Sequence, residues 1–145
     1  MQSLRFDEGY KEYMINDDPN RVIRFNPTDF EILDRIKVAY EEIEKATSTE
    51  DDVELNPDGT PVEQLGKAAE TVKKISDTIK RQIDYIFNSH ISDIVFGNQS
   101  PFCLVGGKPL YERFLDAIIP IIQAEVKKEQ EASKKRIEKY TKQVK

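Results

Sequence analysis

Residues 62–87 read Val62-Glu-Gln-Leu-Gly-Lys-Ala-Ala-Glu-Thr-Val-Lys-Lys-Ile-Ser-Asp-Thr-Ile-Lys-Arg-Gln-Ile-Asp-Tyr-Ile-Phe87. Leu65, Ala69, Val72, Ile75, Ile79, Ile83 and Ile86 recur at steps of three and four. That spacing places them on one stripe of an α-helix, with Lys and Glu opposite. Such a stripe has to be covered. The chain offers two further amphipathic segments for this, Phe30 to Ile43 before it and Leu110 to Val126 after it. The predicted fold is mainly α: a small helical domain with a short N-terminal β-hairpin and a projecting C-terminal helix.

Toward the N-terminus, Ala46 to Pro61 is acidic, polar and rich in turn formers, and reads as a linker at 46–61. Glu54, Asn56, Asp58 and Gly59 have the spacing that opens a calcium loop. The twelfth position needs a carboxylate and holds Leu65, so an Asn-Pro-Asp-Gly turn before a helix capped by Thr60 is the better reading. Phe30, Leu33, Ile36, Tyr40 and Ile43 form the apolar face of the preceding helix. Asn26-Pro27-Thr28-Asp29 supplies its start, with Asn26 or Thr28 as the cap and Thr28–Glu31 at capping-box spacing. Before it, Leu4 to Ile15 and Arg21 to Phe25 suit two strands, joined by the turn formers Asn16 to Asn20. Two strands alone are barely stable, so the hairpin has to pack on a helix.

Toward the C-terminus, Ser89 can cap a brief helix over Ile91 to Phe96. Gly97 to Pro101 breaks it. Phe102-Cys103-Leu104-Val105 is an apolar island expected to fold back over one end of the core, and Gly106-Gly107-Lys108-Pro109 breaks the chain again. Leu110, Phe114, Ala117, Ile118, Ile121, Ile122 and Val126 then form a broad stripe, widened by Tyr111, Leu115 and Ile119. This segment is apolar on nearly two sides, so it is central or meets a partner. Pro120 is expected to kink it without ending it, because the pattern stays in phase across the ring. Beyond Val126 only Ile137, Tyr140 and Val144 offer an apolar seam. Residues 1–126 are thus one domain, and 127–145 a basic arm or tail.

The 145 residues suffice for one core. The net charge of −5 is uneven: residues 127–145 hold eight Lys or Arg against three Glu. The acidic remainder argues against a broad nucleic-acid surface. No apolar run reaches the roughly 18 residues of a membrane span. The opening Met-Gln-Ser-Leu-Arg-Phe-Asp-Glu has no apolar h-region, which predicts no secretory leader. A single cysteine, Cys103, allows no internal disulfide and suits a reducing, cytoplasmic setting.

Catalytic sets are missing from the pattern. Gly106-Gly107-Lys108 lacks the earlier glycine of a phosphate loop, and Pro109 stands where a hydroxyl would meet magnesium. His90 is the only histidine, with no ligand spacing around it. Cys103 sits among apolar neighbours and is expected to be a buried small hydrophobe. No cofactor, metal or enzyme activity is expected. The expected work is protein binding by helix-in-groove contact. The residues assigned to it are Phe114, Ile118, Ile121 and Ile122, with Ile137 and Tyr140 on the arm. Plain core packing is the competing assignment for the first four. Self-association is a further possibility.

Two stretches carry a family resemblance. Val22-Ile-Arg-Phe-Asn-Pro-Thr-Asp-Phe-Glu-Ile-Leu-Asp-Arg-Ile36 resembles the strand, Asn-Pro-x-Asp turn and first helix of small tail assembly chaperone-like proteins of long-tailed phages and prophages of Gram-positive bacteria. Ile91-Ser-Asp-Ile-Val-Phe-Gly-Asn-Gln-Ser100, with Leu110-Tyr-Glu-Arg-Phe-Leu-Asp-Ala-Ile-Ile-Pro-Ile-Ile122, is similar to the short helix, Phe-Gly step and final helix of that family. The likeness covers about half the chain, and its motifs are fold signals without catalytic residues. It implies a chaperone that holds a helical, apolar tape measure protein or brings tail tube subunits to it in the bacterial cytoplasm. The acidic linker and basic arm depart from the family pattern. The acidic body supports a second expectation: an inhibitor of a host defence acting through an acidic protein-binding surface.

Overall fold

The computed structural model describes residues 1–49 and 61–144. Two strands open it, β1 (Lys11–Ile15) and β2 (Asp18–Phe25). They pair antiparallel, with Lys11 opposite Phe25 and Tyr13 opposite Ile23. The turn is shorter than the sequence predicts. Asn16 (φ 50°) and Asp17 (φ 61°) make it alone, as a two-residue hairpin in the left-handed region that Asn and Asp tolerate. The register then slips between Ile15↔Asp18 and Met14↔Val22, leaving Pro19, Asn20 and Arg21 in a bulge. A bulge is where a proline without an N–H does least harm. Beyond it the strand alternates: Ile23 and Phe25 are buried and Arg24 is exposed.

Helix α1 (Glu31–Thr49) begins one residue later than Phe30. Asp29 caps it: its Oδ1 accepts the Glu31 N–H at 3.0 Å. Asn26 instead closes the preceding turn, accepting the backbone N–H and the hydroxyl of Thr28. The buried stripe is Ile32, Ile36, Ala39 and Ile43, while Phe30, Leu33 and Tyr40 are exposed. This corrects the phase expected from sequence. Ile36 and Ile43 belong to both stripes, and packing selects the one with Ile32 and Ala39. Residues 50–60 of the 46–61 linker lie outside the described residues, the Thr60 cap among them; Ala46 to Thr49 belong to α1 and Pro61 to the next helix.

Helix α2 (Pro61–Phe87) packs antiparallel on α1. Ile75, Ile79, Ile83, Ile86 and Phe87 are buried, whereas Leu65, Ala69 and Val72 are not. The cause is length. Arg35 donates through Nε to the Ile86 carbonyl at 2.8 Å, which fixes the register. The 19 residues of α1 then run out before the 27 of α2. The Arg35 guanidinium satisfies an orphan carbonyl at the α2 C-terminus and also meets Asp29 at 3.1 Å.

The short helix α3 (Ser92–Phe96) is capped from a distance rather than by Ser89. Asp84 on α2 accepts the N–H of Ile91 at 2.9 Å and of Ser92 at 2.8 Å through Oδ1. At the other end of α3, Arg21 from the bulge donates to the carbonyls of Ile94 and Val95. The island does not close the core as expected. Pro101 is buried and Phe102 packs edge-on to Tyr111, but Leu104 and Val105 are exposed. These two form β3 (Leu104–Val105), paired with β4 (Lys108–Pro109) around Gly106 (φ 62°) and Gly107 (φ 79°). Both glycines have the positive φ that a two-residue turn requires. Cys103 is half-buried rather than buried.

Helix α4 (Leu110–Val144) is continuous through Pro120. Tyr111, Leu115, Ile118 and Ile122 enter the core, and burial ends at Val126. Every side chain from Lys127 to Lys142 is exposed. The core is joined by aromatic contacts: Tyr13 with Phe25, Phe25 with Phe87, then Phe87 and Phe96 with Phe114. The edge-on geometries are those that ring quadrupoles favour. The domain thus consists of an α1–α2 pair, a hairpin and α3 at one end, and α4 laid across them.

Candidate protein-binding groove

Strand β1 turns successive side chains to opposite faces, so Tyr13 and Ile15 are half-buried while Met14 stays exposed. α4 runs beside this strand. Between them lies an open groove of about 460 Å³. Tyr13, Met14 and Ile15 wall one side. Leu110, Phe114, Ala117, Ile118 and Ile121 wall the other, and Ile23 and Val95 complete the lining. The polar groups are confined to Asn16 and Arg113.

The six residues assigned from sequence separate into three sets. Phe114, Ile118 and Ile121 come together in the groove. Phe114 is half-buried against Phe87 and Phe96, Ile118 is buried, and Ile121 is exposed at the rim. Ile122 faces the opposite way and is wholly buried, so it is core. Ile137 and Tyr140 lie on the arm, 55% and 69% exposed, away from any described neighbour. The hairpin wall was missed by sequence reasoning. Its signal was present in the alternation of Met14 with Tyr13 and Ile15, but nothing in the chain order says that β1 lies beside α4.

The walls are pinned. Lys11 Nζ meets Glu125 Oε2 at 2.6 Å, joining β1 to α4. The hydrogen bond with Glu125 raises the Lys11 pKa and lowers that of Glu125. Partial burial, and then Glu125, raise the Tyr13 hydroxyl. Arg113 Nη1 donates to the Val105 carbonyl at 2.8 Å, and Lys108 pairs with Asp116, so the β3–β4 turn is tied to the α4 start. The one charged residue that lines the groove is Arg113; of the carboxylates on the flanking segments, Glu125 pairs with Lys11, Asp116 with Lys108, and Glu12 lies opposite Arg24 across the hairpin.

Other chemistry is sparse on the described surface. His90 is fully exposed, with Nδ1 3.7 Å from Asp84. Among the described residues, no group of His, Cys, Asp and Glu has the arrangement to hold a metal. No described helix is long and apolar enough to cross a membrane. The acidity of the body is also less concentrated than the total suggests. Five Asp or Glu fall within residues 50–60. On α1, Glu42 pairs with Lys45, and Arg35 with Asp29 and Glu31. In comparisons with known proteins, no family model, no curated protein and no solved structure matches the chain.

Proposed function

We propose that this chain is a tail assembly chaperone-like protein that holds an amphipathic helical segment of a tape measure or tail tube protein in the groove between β1 and α4, in the cytoplasm of a bacterial host. The observation that carries it is the groove itself. It is apolar, open to solvent, and walled by a strand on one side and a helix on the other. Laid along α4 from Leu110 to Ile121, it is about 17 Å long, or roughly three turns of a guest helix. A helix presenting apolar anchors at i, i+3 and i+7 fills such a trough. The family resemblance of residues 22–36 and 91–122 supplies the identity of the guest. The acidic-surface inhibitor draws less support, because the described carboxylates alternate with Lys and Arg.

Met14→Asp and Ile121→Asp test the reading. Both positions are exposed, so the fold tolerates the change while the trough acquires a charge. Co-expression with a large helical tape measure protein should yield soluble complex with the wild-type chain. Each variant should weaken that complex by at least about tenfold, the effect of losing roughly 1.4 kcal/mol at an interface centre. Undiminished recovery of the partner with both variants would remove the groove from the function.

A further inference from the structure

We infer that the α4 arm, from Lys127 onward, docks an acidic amphipathic helix of a partner protein, one whose apolar stripe is edged by carboxylates. Phase is the first observation. Ile137 and Tyr140 stand eighteen residues beyond Ile119 and Ile122, and Val144 eighteen beyond Val126. At about 3.6 residues per turn that separation is five whole turns, so each arm position repeats the azimuth of its counterpart. In the body that side of α4 is the one that packs: Ile122 is wholly buried, and Ile119 and Val126 lie against the core. The helix runs on without a break, so the arm carries the same packing face past the edge of the domain. There Ile137 and Tyr140 are exposed. A face continued in phase beyond its own core suits a second helix laid along it.

Charge is the second observation, and it selects the partner. At roughly 100° per residue, Arg136 borders the seam beside Tyr140 and Lys134 borders it beside Ile137. Lys135, Lys139 and Lys142 fill the far side, and Glu138 is the one acidic side chain beyond Glu131. Among the described residues, none of these cations has an ion-pair partner. A covering helix with glutamates beside its stripe meets both bordering cations, whereas one with lysines there is repelled. An extended polyanion fits less well. The acidic body is fixed to the same rod, so duplex nucleic acid or an anionic bilayer is repelled where it passes the root of the arm. The seam is also one row wide, too narrow an apolar face for insertion at a bilayer surface. It lies more than roughly 100° around the helix from the groove wall, so the two sites are separate.

Fluorescence anisotropy on the full chain tests it. The probe is a labelled peptide of about three heptads with Leu at a and d and Glu at e and g; its counterpart carries Lys at e and g. At low salt the acidic peptide should bind at least about tenfold more tightly than the basic one. Ile137→Glu combined with Tyr140→Glu should weaken it by at least about tenfold. The helical signal should not change, because every side chain from Lys127 to Lys142 is exposed. Lys134→Glu combined with Arg136→Glu should reverse the preference between the peptides. Met14→Asp and Ile121→Asp in the groove should leave it as it is, so arm and groove fail separately. Equal affinity for the two peptides, no binding up to about 100 μM, or a preference that survives the charge swap overturns the inference. So does loss of the peptide in the groove variants. Tighter binding of duplex DNA or phosphatidylserine vesicles, abolished by the same arm substitutions, overturns it as well.

Discussion

Asp84 shows how much one side chain decides. Its carboxylate takes two backbone N–H groups that would otherwise be orphans at the start of α3, and its second oxygen lies 3.3 Å from the Ser92 hydroxyl. Five residues of helix cannot hold themselves together, so α3 depends on this cap and on Arg21 at its far end. Asp84→Ala should cost about 1–2 kcal/mol in urea unfolding, the loss of a strong cap. An unchanged midpoint would mean that α3 is held by packing alone. No local pattern announces this bond, since Asp84 sits in the last turn of the preceding helix and its partners are seven and eight residues on. The same limit set the α1 stripe. Sequence could say that apolar residues recur with helical spacing, but not whether Leu33 or Ile32 turns inward, because only the surface of α2 decides.

At the level of elements, the helices were readable and their lengths informative. The isoleucine spacing of α2 survives intact from Ile75 to Ile86, and its failure at Leu65 and Val72 follows from the shortness of α1. The N-terminal hairpin was readable in type but not in turn or register. Asn16-Asp17 and the Pro19 bulge depend on backbone conformations that several neighbouring turn formers could equally have supplied. The groove was legible on one side only. Periodicity exposes a helix face; a wall that comes from a strand about a hundred residues away leaves no trace in it. Within α4, Pro120 lacks the N–H that would bond the Asp116 carbonyl, yet the helix continues. Its side chain is exposed, so Pro120→Ala should restore that bond and raise stability by about 1–2 kcal/mol, read as a higher melting temperature. A lower melting temperature would show that the ring's contacts outweigh the missing bond.

For the molecule as a whole, the joint between hairpin and helix layer includes the Lys11–Glu125 pair, and this makes the assembly sensitive to pH at both ends. The Glu125 carboxyl is held below its ordinary range by the Lys11 hydrogen bond. Its contribution is therefore present above the unfolded carboxylate pKa and lost as pH falls through the lower folded one. Lys11 is raised, so its contribution is complete below the unfolded lysine pKa and lost as pH rises through the folded value. Lys11→Met should lower the melting temperature between these limits, and the difference from wild type should shrink toward both acid and alkali. A difference constant across pH would assign the effect to packing of the lysine stem.

One rod serves two purposes in this molecule. The first half of α4 forms a side of the trough and the second half is the outstretched arm, about 52 Å from end to end. No loop lies between them to absorb a displacement. A load applied near Tyr140 therefore acts as on a lever, with one limb in water and the other, of nearly equal length, inside the domain. The weakest point of the shaft is the missing hydrogen bond at Pro120, one residue from Ile121 on the rim. Whatever grips the free end has mechanical purchase on the width of the trough.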